Sequence, residues 1–278
     1  MRINQFRYKC FSTGLAIWLL SVAAQAHEFW LEPEDFTLAP KQSLRANIKV
    51  GENLVGTTYA FLPKRFERFE VFQGDSQSAI RSEKGDFPAV NEEIINDGLI
   101  TLAYVSTPYS LRYGRMIQGK FEKFLKNEGL SWVLEAHRQR GLPETGFTEA
   151  YSRFAKSLIK AGSGIGADRA LGLELEIVML SNPYTESDKD LTVKLLSNGT
   201  PLANTQLSAF FKAANSDDAV KHTLYKTNAQ GLAVIPRPEQ YGMMLLSAVH
   251  MIEPDAKTIL KTGAVWESLW ASMTFAIE

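Results

Sequence analysis

Apolar and polar residues alternate along most of the chain in short runs, and each run ends at turn-forming residues. Ser43-Leu44-Arg45-Ala46-Asn47-Ile48-Lys49-Val50 puts Leu44, Ala46, Ile48 and Val50 on one side of an extended chain and stops at Gly51, as a half-buried strand does. Phe66 to Phe72 and Leu99 to Val105 behave alike, the second entered through the turn signal Asn96-Asp97-Gly98. From Ala170 onward the spacing predicts strands at Leu173 to Leu180, Leu191 to Leu196, Thr205 to Phe211, His222 to Tyr225, Leu232 to Ile235, Met243 to His250 and Leu269 to Ile277. Asn198-Gly199 before Thr200-Pro201 reads as a hairpin, and Thr227-Asn228-Ala229-Gln230-Gly231 supplies a turn ahead of Leu232.

Between Met116 and Ala161 the period lengthens. Phe121, Phe124 and Leu125 fall at i, i+3 and i+4, and Phe147, Tyr151, Phe154 and Leu158 continue at helical spacing, with Glu149 four residues before Arg153. At least two amphipathic helices are predicted, divided at Gly141-Leu142-Pro143, with their aromatic stripes in a core rather than along a groove. Gly162-Ser163-Gly164-Ile165-Gly166 follows a predicted helix, whereas a phosphate cradle lies between a strand and a helix N-terminus. It is read as a flexible linker. The expected fold is mainly β: two β-sandwich modules of immunoglobulin-like or transthyretin-like size at 27–115 and 170–278, joined by a helical connector and Gly-rich linker at 116–169.

The first 26 residues stand apart from this pattern. Arg2, Arg7 and Lys9 precede the apolar stretch Leu15 to Val22, and Ala24-Gln25-Ala26 follows, the order of a secretory signal peptide. The apolar run is shorter than the roughly 20 residues that cross a bilayer, so a soluble periplasmic protein without membrane insertion is expected. Cleavage after Ala26 removes those three bases and no acid, leaving the chain more acidic than its full-length net charge of −1. With 45% apolar and 22% charged residues the composition is ordinary and globular, and no basic footprint for nucleic acid is present.

Cys10, the one cysteine, leaves with the signal, which removes disulfides, thiolate metal sites and a cysteine nucleophile. No Gly-x-Ser-x-Gly elbow, His-Glu-x-x-His pair, Walker loop or dinucleotide fingerprint stands in a supporting context. The expectation is therefore no enzyme, and any metal site must use nitrogen and oxygen. Cleavage makes His27 the first residue. Its amine (pKa about 7.7 to 8.0) and imidazole (about 6.5) then offer two donors to Zn, Cu, Ni or Fe, against the plainer reading of a solvated terminus.

His250 closes the run Met243 to His250, which makes it either a rigidly held ligand or a satisfied core histidine. Glu267, beside Trp266, could add a carboxylate or orient His250. His222 is read as an exposed strand residue and His137 as a solvated helix face. Phe29, Trp30, Trp266 and Trp270 could stack on a sugar or peptide, but alternation on strands favours the core. The metal-ligand set is thus His27, His250 and Glu267.

Several blocks carry a family resemblance: His27-Glu28-Phe29-Trp30-Leu31-Glu32-Pro33, Lys49-Val50-Gly51-Glu52, Tyr151-Ser152-Arg153-Phe154-Ala155-Lys156, Asp168 to Glu176, Asn182-Pro183-Tyr184, Ala248-Val249-His250-Met251 and Trp266 to Phe275. In order and spacing the chain resembles the NikM-like family of exported proteins of unknown function. The resemblance implies a periplasmic protein of β-sandwich modules that assists nickel or cobalt uptake. Its ligand would be one divalent transition metal, Ni or Co ahead of Cu or Zn, passed to a membrane uptake transporter or receptor. His27 and His250 occupy the family's histidine-bearing blocks. The chain lacks the His-rich stretch of a high-capacity carrier, which leaves one site at most. The rival readings are a noncatalytic glycan- or protein-recognition module and a copper-dependent oxidative enzyme built on the terminal histidine.

Overall fold

The computed structural model describes residues 28–39, 41–114, 119–216 and 218–278. The signal segment, Cys10 and His27 lie outside the described residues. The protein is mainly β, with several sheets and a short helical segment in the middle.

A ten-stranded sheet runs through both halves of the chain. Its order is Lys221–Lys226, Gln206–Ala213, Gly242–Ile252, Trp266–Ile277, Phe147–Ala161, Gly98–Ser106, Phe66–Gln73 and Ser76–Ala79. Thr37–Leu38 and Tyr109–Tyr113 also pair with Phe147–Ala161. That long strand joins the two halves: it lies antiparallel to Gly98–Ser106 and parallel to Trp266–Ile277, in register from Glu149↔Trp266 to Ser157↔Thr274.

Each face of this sheet is covered. On the back, the four-stranded sheet of Leu175–Met179, Leu191–Ser197, Thr200–Pro201 and Leu232–Ile235 packs Leu175, Ile177 and Val193 against Leu158, Leu246, Leu269 and Met273. On the front, a second four-stranded sheet (Glu28–Pro33, Ser43–Glu52, Val55–Tyr59, Val90–Glu93) packs Leu31, Leu44 and Ile48 against Ile100, Leu102, Ala155 and Ile159. The Thr274 hydroxyl donates to the Leu31 carbonyl at 2.6 Å and ties the first strand down. Beside it, the helices Lys120–Asn127 and Trp132–Gln139 bury Phe121, Phe124, Leu125 and Val133 against Val249, Met251 and Trp266.

The strands expected after Ala170 form within three residues of their predicted ends. The helical reading of Phe147 to Leu158 is corrected: Phe147–Ala161 is a strand. It is buried on both faces, with Phe154 and Leu158 in the back core and Ala155 and Ile159 in the front core. A strand covered on both sides loses the apolar-polar alternation that marks a half-exposed one, and its scattered aromatics then mimic a helical period. The helix Ala256–Thr262, absent from the sequence reading, starts where Asp255 accepts from the Thr258 amide at 2.7 Å and ends at Gly263 with φ 66°.

The Gly162–Gly166 stretch is pinned rather than loose. Asp97 accepts from the Ser163 amide at 2.7 Å, and the Asn182 side chain donates to the carbonyls of Gly164 and Gly166 at 2.8 and 2.9 Å. Gly162 has a φ of 55° and turns directly against Asp97, where a side chain would not fit. Nearby, Lys156 is fully buried and its ammonium meets Asp168 at 2.7 Å and Glu176 at 3.2 Å.

Candidate functional site

A cavity of about 610 Å³ opens on the front face, a volume suited to a small ligand. Strand alternation determines which side chains reach it. Glu149, Tyr151 and Arg153 point from Phe147–Ala161, Ser208 and Phe210 from Gln206–Ala213, and Trp270 from Trp266–Ile277. Helix Lys120–Asn127 and the residue after it contribute Lys120, Lys123, Phe124 and Glu128, with Phe124 stacked on Trp270 at 5.4 Å. Glu28 enters from the first strand, and Glu52 and Asn53 from a hairpin end.

That hairpin end is locally encoded. Asn53 and Leu54 both take positive φ, 51° and 58°, the two-residue turn whose twist suits paired strands. Leu54 tolerates this because its side chain is buried in a cluster with Trp30, Phe210 and Leu245. The packing holds Glu52 and Asn53 at the cavity edge.

Burial dominates the site's electrostatics. Glu28 is pushed up to about 7, mainly by loss of water, with the Glu52 charge adding to the effect. Its Oε2 atom is buried and has no hydrogen-bond partner among the described residues. Glu128 is pushed up to about 7 by burial and then by the charge of Glu28. Glu149 also rises to about 7 through burial, although Ser268 and Tyr113 donate to it, the latter at 2.6 Å. Burial pulls the Arg153 guanidinium down, while the surrounding tyrosine hydroxyls oppose that shift.

The candidate ligands of the sequence reading are placed as follows. His250 pairs with Leu269 and Glu267 with Ile252 on adjacent antiparallel strands, so both project to the back face while Trp270 and the cavity are on the front. Burial lowers the His250 pKa; burial, then Glu174 and Asp255, raises that of Glu267. His27 lies outside the described residues, and Glu28, which follows it, is at the front cavity. Among the described residues, no group of three or more His, Cys, Asp or Glu is gathered as a metal site.

The other two histidines divide. His222 is exposed as expected, its ring stacked on Phe210 at 4.2 Å. His137 is instead buried. It accepts at Nδ1 from the Trp266 indole at 2.9 Å, and its Nε2 meets the Pro143 carbonyl at 3.0 Å, which requires the neutral Nε2-protonated ring. Of the four aromatics, Phe29, Trp30 and Trp266 are core and Trp270 lines the cavity.

The model of a domain of unknown function, DUF4198, matches residues 24–252. The chain belongs to the DUF4198 family. The DUF4198 match takes in Glu28, Glu128, Glu149, Arg153 and His250, and ends before Glu267 and Trp270. No curated protein matches the chain. Among the described residues, no helix is long and apolar enough to cross a membrane.

Sequence reasoning missed Glu128, Glu149 and Arg153. The sequence reading places Glu149 and Arg153 four residues apart on a helix. The signal available for Glu149 and Arg153 was that, with Lys156, they place charge inside an aromatic-containing run.

Proposed function

We propose that this DUF4198 protein is an exported, periplasmic metal-binding accessory protein that holds one divalent transition ion in the front cavity. Glu28 and Glu128 supply carboxylate oxygens, and His27, adjacent to Glu28 in the chain, supplies nitrogen. The supporting observation is that Oε2 of Glu28 is buried with no hydrogen-bond partner among the described residues, in a cavity also lined by Glu128, whose pKa the Glu28 charge raises. Two acids forced together away from water are costly when ionised, and a cation between them removes that cost. The preference for nickel or cobalt, and delivery to a membrane uptake partner, follow from the NikM-like resemblance. Binding requires no bond-making chemistry, and His250 and Glu267, on the opposite face, are not ligands of this ion.

Calorimetric titration of the mature protein with Ni²⁺, Co²⁺, Cu²⁺ and Zn²⁺ at pH 7.5 tests this reading. One ion should bind, and affinity should fall as pH drops below about 7 and the carboxylates and nitrogens take up protons. Glu28→Gln and His27→Ala should each weaken binding at least tenfold, while His250→Ala and Glu267→Gln bind like the parent. Equal binding by the parent and Glu28→Gln would remove the front-cavity site.

A further inference from the structure

Arg153 is a largely buried cation that no acid neutralises among the described residues. Lys156, on the same strand, has Asp168 and Glu176 within 3.2 Å. The Arg153 guanidinium instead lies 5.4 Å from the centre of the Phe29 ring and 5.5 Å from that of Tyr151. Its other electrostatic neighbours are the hydroxyls of Tyr59, Tyr104 and Tyr109. Among the described residues, no carboxylate forms an ion pair with it and no group accepts a hydrogen bond from its side chain. Glu28 senses its charge without contact close enough for an ion pair.

A guanidinium does not shed its proton in a protein, so the charge persists despite burial. Aromatic faces ease it only in part. The planar fork remains open toward a cavity far larger than one ion, and a fork of this kind matches a carboxylate with two parallel hydrogen bonds. A dication at Glu28 and Glu128 would also lie near this uncompensated positive charge. An anion between them relieves that repulsion.

We propose that Arg153 anchors the carboxylate of a small organic acid in the front cavity, with the body of the acid against Phe124 and Trp270. The proposal rests on the front cavity being the ligand site and names the organic part of its cargo. By reciprocity, a cation at Glu28 and Glu128 and a carboxylate at Arg153 strengthen each other's binding.

Calorimetry on the mature protein with sodium benzoate, inorganic phosphate and Ni²⁺ as separate probes tests it. Benzoate should bind saturably at one site and more tightly with Ni²⁺ present. Arg153→Lys, which keeps the charge and loses the fork, should weaken benzoate at least tenfold, and Arg153→Gln should abolish its binding, both with Ni²⁺ binding retained. Should Arg153→Gln fail to fold, Arg153→Lys carries the comparison. No benzoate binding, unchanged binding in Arg153→Lys, or phosphate binding as tightly as benzoate overturns the carboxylate anchor. Benzoate binding without Ni²⁺ binding would leave the anchor standing and refute the metal reading, and the reverse would refute the anchor alone.

Discussion

Replacing Glu149 by Gln should change how the fold responds to pH more than it changes the fold. Glu149 is fully buried between Tyr113 and Ser268, and burial raises it from 4.5 to about 7. A carboxyl raised on folding favours the native state fully below its unfolded pKa, and that contribution is lost as pH rises toward its folded pKa. The window is therefore pH 4.5 to about 7, and the loss levels off above it. A shift of this size corresponds to about 3 kcal/mol at 1.36 kcal/mol per pKa unit, of which about 2 to 3 kcal/mol falls between pH 5 and 8. Gln has nearly the same shape and no charge, so it does not undergo this loss. Urea denaturation at half-unit steps from pH 5 to 8 measures the difference. Relative to the parent, Glu149→Gln should gain stability steadily with pH and reach a plateau above pH 7. A constant offset across the range would show that Glu149 is not held protonated by burial, and the account of the cavity's electrostatics would fall with it.

Two further substitutions probe the surrounding scaffold. Lys156→Met leaves Asp168 and Glu176 buried without their cation; it should cost about 3 to 5 kcal/mol, read as a lower urea midpoint, and adding Asp168→Asn and Glu176→Gln should recover part of the loss. His137→Phe removes the acceptor of the Trp266 indole N–H and should cost about 1 to 3 kcal/mol in the same assay, whereas His137→Gln, which can still accept, should cost less.

Legibility varied along the chain for physical reasons. The strands after Ala170 could be read because turn formers separate them, and Leu191–Ser197 and Leu232–Ile235 also alternate buried with more exposed positions. Phe147–Ala161 could not, because burial on both faces erased its alternation. His137 was misplaced for a related reason: its neighbours Glu135, Arg138 and Gln139 are exposed and bond one another, while the histidine itself turns inward to Trp266, 129 positions away.

Of the candidate site, the sequence reading singled out His27 but not Glu28, Glu128 or Arg153. Glu28, Glu128 and Arg153 come from a first strand, the end of a helix and a central strand. Local pattern determined most strand positions and the turns between them, since each depends on residues within a few positions of one another. Which charges share a water-poor space depends on sheet order and on which way each side chain faces. The cavity, the raised carboxyl pKa values and the separation of Glu28 from His250 by the thickness of a sheet were therefore decided by tertiary structure alone.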